Sequence, residues 1–298
     1  MILKFKKYKC YICNSGKGQN LSYGYLTFKK FFFLKRCYKC NTFYSNLIPA
    51  NKFTMNKIYD FGGVDKLDES KNNFLSKLLH NLRFFQLRKI STIIDNYKFK
   101  QRSTILDYGT GDGYLANYFF LKKNQVYASD FSNKRIKSLK NKIIYFSNKN
   151  IFLQTKKFDF IIMRHVLEHI PYPKSVIKKL KKLLKPNGLI IIEVPNHSEK
   201  KNLFLKLFKS NYSQLCLPHH VNHFNQNSLK KVFNFNKIDT LEFVNSSVPI
   251  LGNSIFNFLG FRNNRFDLFN LLLFPIQILL EKISSTSTAI LLIYKKNY

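Results

Sequence analysis

From Thr104 onward, short continuous apolar runs alternate with basic amphipathic stretches. The runs are Thr104 to Tyr108, Gln125 to Ser129, Ile143 to Phe146, Phe158 to Met163 and Leu189 to Val194. Runs of this length without polar alternation predict parallel strands buried on both faces, with helices between them. The clearest helix spans Lys174 to Leu184, with stop chemistry expected from Pro186, Asn187 and Gly188. Further strands are predicted at Lys237 to Val244 and Thr288 to Tyr294. Two less regular excursions, 198–236 and 249–283, are candidates for a substrate cap, because ligands bind outside the carboxyl ends of parallel strands.

Upstream, residues 72 to 97 place Phe74, Leu75, Leu78, Leu79, Leu82, Phe85 and Ile93 at helical spacing. Residues 1 to 50 hold short aromatic runs, turn residues and two cysteine pairs, and no internal repeat stands out. The expected organisation is a small module over 1–50, a linker and helical lead-in over 51–100, and an α/β domain over 101–298 carrying both cap insertions.

Cys10 and Cys13, then Cys37 and Cys40, form two C-x-x-C pairs separated by 23 residues. Each pair can present two thiolates from a tight knuckle, and together they predict a zinc ribbon around one tetrahedral Zn²⁺. The intervening GYLTFKKFFFL is expected to form the hairpin that returns the chain to the second knuckle. A closed four-thiolate site leaves no open position, so the metal expected here is structural. A redox-active pair or unligated core cysteines are the alternatives.

The cysteines do not form an extracellular disulfide pattern, and MILKFKKYKCYIC lacks a secretory signal, so a reducing cytoplasm is expected. The net charge of +34 suggests an anionic partner, yet 42 of the 50 basic residues are lysine, alongside abundant Asn, Ile, Phe and Tyr. An AT-rich genome yields that bias, and a site built to grip phosphates and base edges would be richer in arginine. The charge is therefore read first as a solvated surface, with nucleic acid as the second class of partner.

The segment ILDYGTGDGYLA, 105 to 116, ends a strand in Asp107 and runs through Gly109, Gly111 and Gly113 into a helix. Such a turn brings backbone N–H groups close to a ligand. Asp130, 19 residues after Gly111, ends the next strand where a carboxylate can accept from ribose hydroxyls. A dinucleotide fingerprint would need glycine where Tyr114 stands, and Asp107 would repel pyrophosphate, whereas it complements a cationic nucleoside.

ILDYGTGDGYLA resembles the first motif of class I S-adenosylmethionine-dependent methyltransferases. YASDFS at 127 to 132, FDFIIMRHVLEHI at 158 to 170 and KPNGLIIIEVPN at 185 to 196 are similar to their second-, fourth- and fifth-strand segments. The resemblance covers about residues 100 to 250 and implies a Rossmann-like, seven-stranded, mostly parallel sheet with an antiparallel last strand. It implies that Asp107, Gly109 and Gly111 line the methionine and adenosine portions, that Asp130 holds the ribose and that Phe131 flanks the adenine. Tyr108 and Arg164 join that cofactor set. The stretch 147–157 lacks the acidic residue often found after the third strand, so the adenine amino contact stays unassigned.

Methyl transfer to a hydroxyl needs a base, and five of the seven histidines lie at 165, 169, 219, 220 and 223. In the resembling subgroup, which carries front ribbons and modifies sugars and glycans, a histidine recurs near the acceptor. His220 is the best positional match and His223 the second. Glu168 reads as a brace at the pocket rim, and His165, Glu168 and His169 are also residues of metal-ligand type. The expected acceptor is a small molecule or sugar methylated on oxygen, with RNA or DNA and a lipid-linked acceptor at a membrane surface as alternatives. For the last, Phe256 to Phe261 and Leu268 to Leu280 offer apolar segments beside Arg262 and Arg265, unless those helices simply pack on the sheet.

Overall fold

The computed structural model describes residues 3–61, 87–97, 102–131, 142–147, 150–198, 202–234, 239–261 and 267–297. Its front part holds β1 (Phe5–Lys7), β2 (Gly18–Thr27), β3 (Lys30–Cys37), β4 (Phe43–Ser45) and β5 (Leu47–Pro49). The expected hairpin is β2–β3, closed by Phe28 and Lys29 at φ 49° and 57°, the left-handed pair that a two-residue turn between twisted strands requires.

After α1 (Lys52–Phe61) and a helix over 87–96, called α2, come β6 (Thr104–Tyr108), α3 (Tyr114–Leu121), β7 (Gln125–Asp130), β8 (Ile144–Ser147), β9 (Phe158–Arg164), α4 (Pro173–Lys182) and β10 (Leu184–Pro195). Phe74, Leu75, Leu78, Leu79, Leu82 and Phe85 of the predicted lead-in helix lie outside the described residues. The chain continues through α5 (Leu203–Phe208), β11 (Asn222–His223), α6 (Gln226–Phe233), β12 (Thr240–Ser246), α7 (Leu251–Phe258), α8 (Asp267–Leu272), α9 (Phe274–Ile283) and β13 (Ala289–Lys295).

The seven-stranded sheet runs β12-β13-β10-β9-β6-β7-β8, parallel except for β13, which is antiparallel to both neighbours. Every residue of β6 is buried, as two-sided cover demands. On one face Ile90, Ile94, Leu115 and Phe119 pack from α2 and α3. On the other, Ile177 and Leu180 of α4 and Leu229, Val232 and Phe233 of α6 pack, while Lys174, Lys178, Lys179 and Lys182 of α4 are exposed.

Two expectations change. Helix α4 ends at Lys182 and β10 begins at Leu184, so Pro186, Asn187 and Gly188 lie in a register shift between Leu184 and Leu189 and do not form the helix stop. A bulge tolerates a proline that cannot donate to the ladder. The excursion 198–236 also divides, because α6 is not cap but covers the sheet beside α4. Its Asn225 caps the helix, accepting from Ser228 N at 2.9 Å.

The front module and the sheet share one core. Strand β11 pairs with β4 and extends the small sheet to β11-β4-β3-β2. Tyr8, Tyr11, Tyr44 and Ile48 bury into the same cluster as Tyr108, Met163, Val221 and Phe224. The Tyr8 hydroxyl donates to Asn222 Oδ1 at 2.9 Å and to the Pro171 carbonyl. The Tyr44 hydroxyl is buried and has no hydrogen-bond partner among the described residues. Tyr8→Phe should therefore cost about 1–2 kcal/mol in urea unfolding, whereas Tyr44→Phe should be neutral or stabilising. Equal losses in the two variants would show that the tie from Tyr8 to the sheet does not hold the module.

Candidate active site

The turn between β6 and α3 is set by three glycines in the left-handed region, Gly109 at φ 84°, Gly111 at 57° and Gly113 at 81°. A β-carbon on residue 109 would lie 2.3 Å from Val166 Cγ2, so the loop abuts the turn after β9. At residue 111 a β-carbon would meet nothing within 4 Å, which leaves open space before the loop. Gly111 N donates to Asp130 Oδ2 at 2.8 Å, locking the first strand's loop to the second strand's end. Tyr145, on β8, donates to the Asp130 carbonyl at 2.9 Å, a support that no motif announced.

Asp107 is buried, and its Oδ2 accepts from Thr110 Oγ1 at 2.7 Å. Burial pushes its carboxyl up to about 7, the Thr110 hydroxyl opposes this, and Asp130 and Asp112 add to the rise. A buried carboxylate short of positive charge beside an open glycine turn fits the cationic methionine end of S-adenosylmethionine. Phe131 is 41% exposed, and Lys52 Nζ stands 5.2 Å from its ring centroid, so α1 borders the expected adenine edge. Tyr108 is buried against Phe152 at 5.9 Å between centroids, in the stretch where the adenine contact was unassigned.

Beyond Val166 the polar groups gather on the other side of the loop. Arg164 Nε donates to Glu193 Oε2 at 2.6 Å, and Ser246 Oγ donates to Glu193 Oε1 at 2.5 Å, so Arg164 is engaged across to β10. Burial would raise the Glu193 pKa, but Arg164, His165 and Ser246 outweigh it and hold the group below its ordinary value. His165, at φ 53°, places Nδ1 3.5 Å from Glu168 Oε1 and Nε2 3.8 Å from Glu193 Oε2. Glu168 is 1% exposed, and neither of its carboxylate oxygens has a hydrogen-bond partner among the described residues.

Glu168, His169 and His220 bring one ligand atom each within 4.8 Å of one another. A carbonyl only accepts, so the proton of His169 sits on Nδ1, donating to the His219 carbonyl at 2.9 Å, and that of His220 on Nδ1, donating to the Gln214 carbonyl at 2.8 Å. Burial first, then His169 and His223, push the His220 pKa well below its ordinary value, so the ring is neutral. His223 lies deeper, fully buried, donating through Nε2 to the His220 carbonyl at 3.1 Å and accepting at Nδ1 from His197 Nε2 at 2.9 Å. His197 was not foreseen, since it stands 26 residues from its partner and no motif marks it. A small cavity lined by Pro49, Met55, Ile58, Pro171, Pro218 and Val221 opens beside His169 and His219.

The thiols of Cys10, Cys13, Cys37 and Cys40 converge, with Sγ separations of 3.3 Å for Cys10–Cys40 and 3.5 Å for Cys13–Cys37, and all four within 4.8 Å. Tetrahedral bonds of about 2.3 Å have edges of about 3.8 Å, so one Zn²⁺ fits the four sulfurs. The two knuckles match bond for bond. Asn14 N donates to Cys10 O at 2.8 Å and Asn41 N to Cys37 O at 2.9 Å, with both asparagines left-handed at φ 57° and 61°. KCYICN at 9–14 and RCYKCN at 36–41 are thus a repeat, although none stood out in the sequence pattern.

A sheet of this order and a glycine turn pinned by the second strand's carboxylate define an α/β domain that binds a nucleoside cofactor. The profile described as a methyltransferase domain matches residues 78–236, just over half the chain, so the chain belongs to that family. Its fold is that of the class I methyltransferases. The ubiquinone biosynthesis O-methyltransferase of Nitrosomonas europaea is 28% identical over 138 residues, covering 43% of this chain and 57% of that one. The protein of the same name from Rickettsia prowazekii is 28% identical over 155 residues, covering 47% and 62%. The chain thus spans less than two thirds of the length of these relatives. The structure of the plantazolicin methyltransferase BamL superposes with TM-score 0.52 at 17% identity, covering 82% of this chain and 96% of that one, a likeness of fold.

The raised Asp107 pKa has a definite sign. Without ligand the carboxyl takes up a proton as the pH falls through about 7, whereas a bound cation favours the carboxylate. Calorimetric affinity for S-adenosylmethionine should fall from pH 8 to pH 6, by up to about tenfold per pH unit below the pKa, and Asp107→Asn should flatten the profile. A flat profile in the unaltered chain would remove Asp107 from the cofactor's surroundings.

Proposed function

We propose that the chain transfers the methyl group of S-adenosylmethionine to the hydroxyl oxygen of a small molecule at the Glu168–His169–His220 cluster, and that its four paired cysteines hold a structural zinc. One observation carries the acceptor site. A buried carboxylate with no hydrogen-bond partner among the described residues stands beside two imidazole rings, next to the residue that packs on the cofactor loop. The bound cofactor supplies a sulfonium-activated methyl group. Asp107, Gly109, Gly111 and Asp130 would orient it, with Tyr108 and Phe131 beside them, whereas Arg164 is paired with Glu193 on the histidine side of the loop.

An acceptor hydroxyl held in line with that methyl group would form the new carbon–oxygen bond as the carbon–sulfur bond breaks and the neutral thioether leaves, its proton passing to the cluster. His169, whose Nδ1 donates to the His219 carbonyl, lines the small cavity, and the adjacent Glu168 carboxylate would offset the charge that forms on the imidazole. His220 shares the cluster as a neutral ring, with His223 and His197 positioning it from behind. The names of the relatives support oxygen as the acceptor atom. A sugar or glycan acceptor is supported only by the ribbon-plus-domain layout, and nucleic acid only by the basic charge. A second reading rests on the same three groups, since their spacing also suits a divalent cation that would polarise the acceptor oxygen.

Glu168→Gln preserves shape and removes charge. It should lower kcat about 10²–10⁴-fold on an acceptor found by screening hydroxylated aromatic, quinol and sugar pools with labelled cofactor, while S-adenosylmethionine affinity changes less than about twofold. Full turnover by this variant would sink the assignment, and a dependence of turnover on added Mg²⁺ would favour the second reading. For the ribbon, protein purified without chelator should carry about one zinc per chain and lose thermal stability when it is stripped. Zinc-free protein of unchanged Tm would defeat that part.

A further inference from the structure

We infer that α7, α8 and α9 form a docking face for an anionic lipid bilayer, with the apolar side of α9 laid into the headgroup region. Helix α9 is inverted relative to an ordinary surface helix. Gln277 and Glu281 are buried at 0% and 4%, whereas Ile276, Leu279 and Ile283 are 51%, 57% and 74% exposed. At about 100° per residue the three apolar positions fall within roughly 60° of arc, on the side opposite the two polar ones. Lys282, also exposed, lies about 60° beyond that arc.

The inward polar groups are fully used, so the inversion is built in. Gln277 Oε1 accepts from Ile250 N at 2.9 Å and from Leu251 N at 3.1 Å, holding the start of α7. Its Nε2 donates to the Val248 carbonyl and to Glu281 Oε1, both at 2.8 Å, and the Ser247 hydroxyl donates to Glu281. Asn270 of α8, 3% exposed, accepts from Asn253 N at 2.9 Å. A helix pinned through Gln277 and Glu281 turns Ile276, Leu279 and Ile283 outward, while Leu280 packs on the core beside Ile250 and Leu251.

Further exposed apolar residues lie on the helices that pack in succession with α9, namely α8, α7 and α5. Phe258 ends α7, Leu259 and Phe261 follow it, Leu272 ends α8, and all four are more than half exposed. Leu207 of α5, which packs on α7, adds to them between the exposed Lys206 and Lys209. Patches of this composition mark an interaction surface, and an apolar stripe flanked by lysine is the pattern of helices that lie in the plane of a bilayer. Among the described residues no helix is long and apolar enough to cross a membrane, so the contact is made from one side.

Charge selects the occupant. At net +34, two copies of the chain repel as they approach, whereas an anionic surface attracts. That attraction acts whether the lysine excess arose from selection or from nucleotide composition. Neither argument depends on the identity of the acceptor, and none of the residues invoked belongs to the cofactor or histidine sites.

Flotation of the full chain with vesicles at about 0.15 M salt tests the proposal. Vesicles of about one third phosphatidylglycerol in phosphatidylcholine should carry at least about tenfold more protein than phosphatidylcholine alone. The triple variant Ile276→Ser, Leu279→Ser, Ile283→Ser, which leaves every charge in place, should lose that binding while its circular dichroism melt and S-adenosylmethionine affinity stay unchanged. The pair Phe261→Ser, Leu272→Ser gives an independent read of the same face if the triple variant does not fold. Absence of binding to the anionic vesicles would overturn the proposal. So would undiminished binding by the serine variants, which would show charge alone at work, or a dimer in sedimentation that the same substitutions dissolve, which would assign the face to a second copy.

Discussion

Val166 fills the space that a β-carbon on residue 109 would need, and that contact fixes how far the cofactor loop stands from the polar turn after β9. Gly109 is therefore required twice, by its positive φ and by its neighbour. On one side of the contact lie Asp107, Gly111 and Asp130, joined by the 2.8 Å bond from Gly111 to Asp130. On the other side Val166 is bracketed in sequence by His165 and the Leu167–His169 turn. A transfer between two bound molecules depends on such a fixed spacing, because the reacting atoms must be presented in line within a few tenths of an ångström.

The second constraint is the shared core. The segment that brings His219, His220 and His223 to the site also donates β11 to the small front sheet through Asn222 and His223. Tyr11 packs edge-on against Phe224 at 5.3 Å, Lys174 Nζ donates to the Ile12 carbonyl at 2.8 Å, and Lys231 Nζ to the Cys40 carbonyl at 2.6 Å. The cysteine knuckles are therefore part of the wall behind the histidines.

Much of this was legible in the residues. The apolar runs located β6, β7, β8 and β9 within one residue at each end, because buried parallel strands carry no competing polar signal. The C-x-x-C pairs and the glycine turn were equally plain, since metal and nucleoside sites demand particular residue types at fixed spacing. What could not be read was long-range. The early start of β10 needs the pairing of Leu184 with Phe158, and α6 is identified as sheet cover only by its contact with α4. The histidines illustrate the same limit. Sequence placed His220 and His223 together, but not that one meets Glu168 and His169 while the other turns back to His197. For Leu268 to Leu280 the residues leave open whether the apolar segment packs on the sheet or meets a membrane surface, because only the hydrogen bonds of Gln277 and Glu281 reveal which side of α9 faces in.

The pairing of β11 with β4 also bears on how the chain folds. Without residues 1–50, Asn222 and His223 would present a strand edge with nothing to hydrogen-bond it, above an apolar floor that includes Phe224. The front module and the large sheet are therefore expected to melt as one cooperative unit.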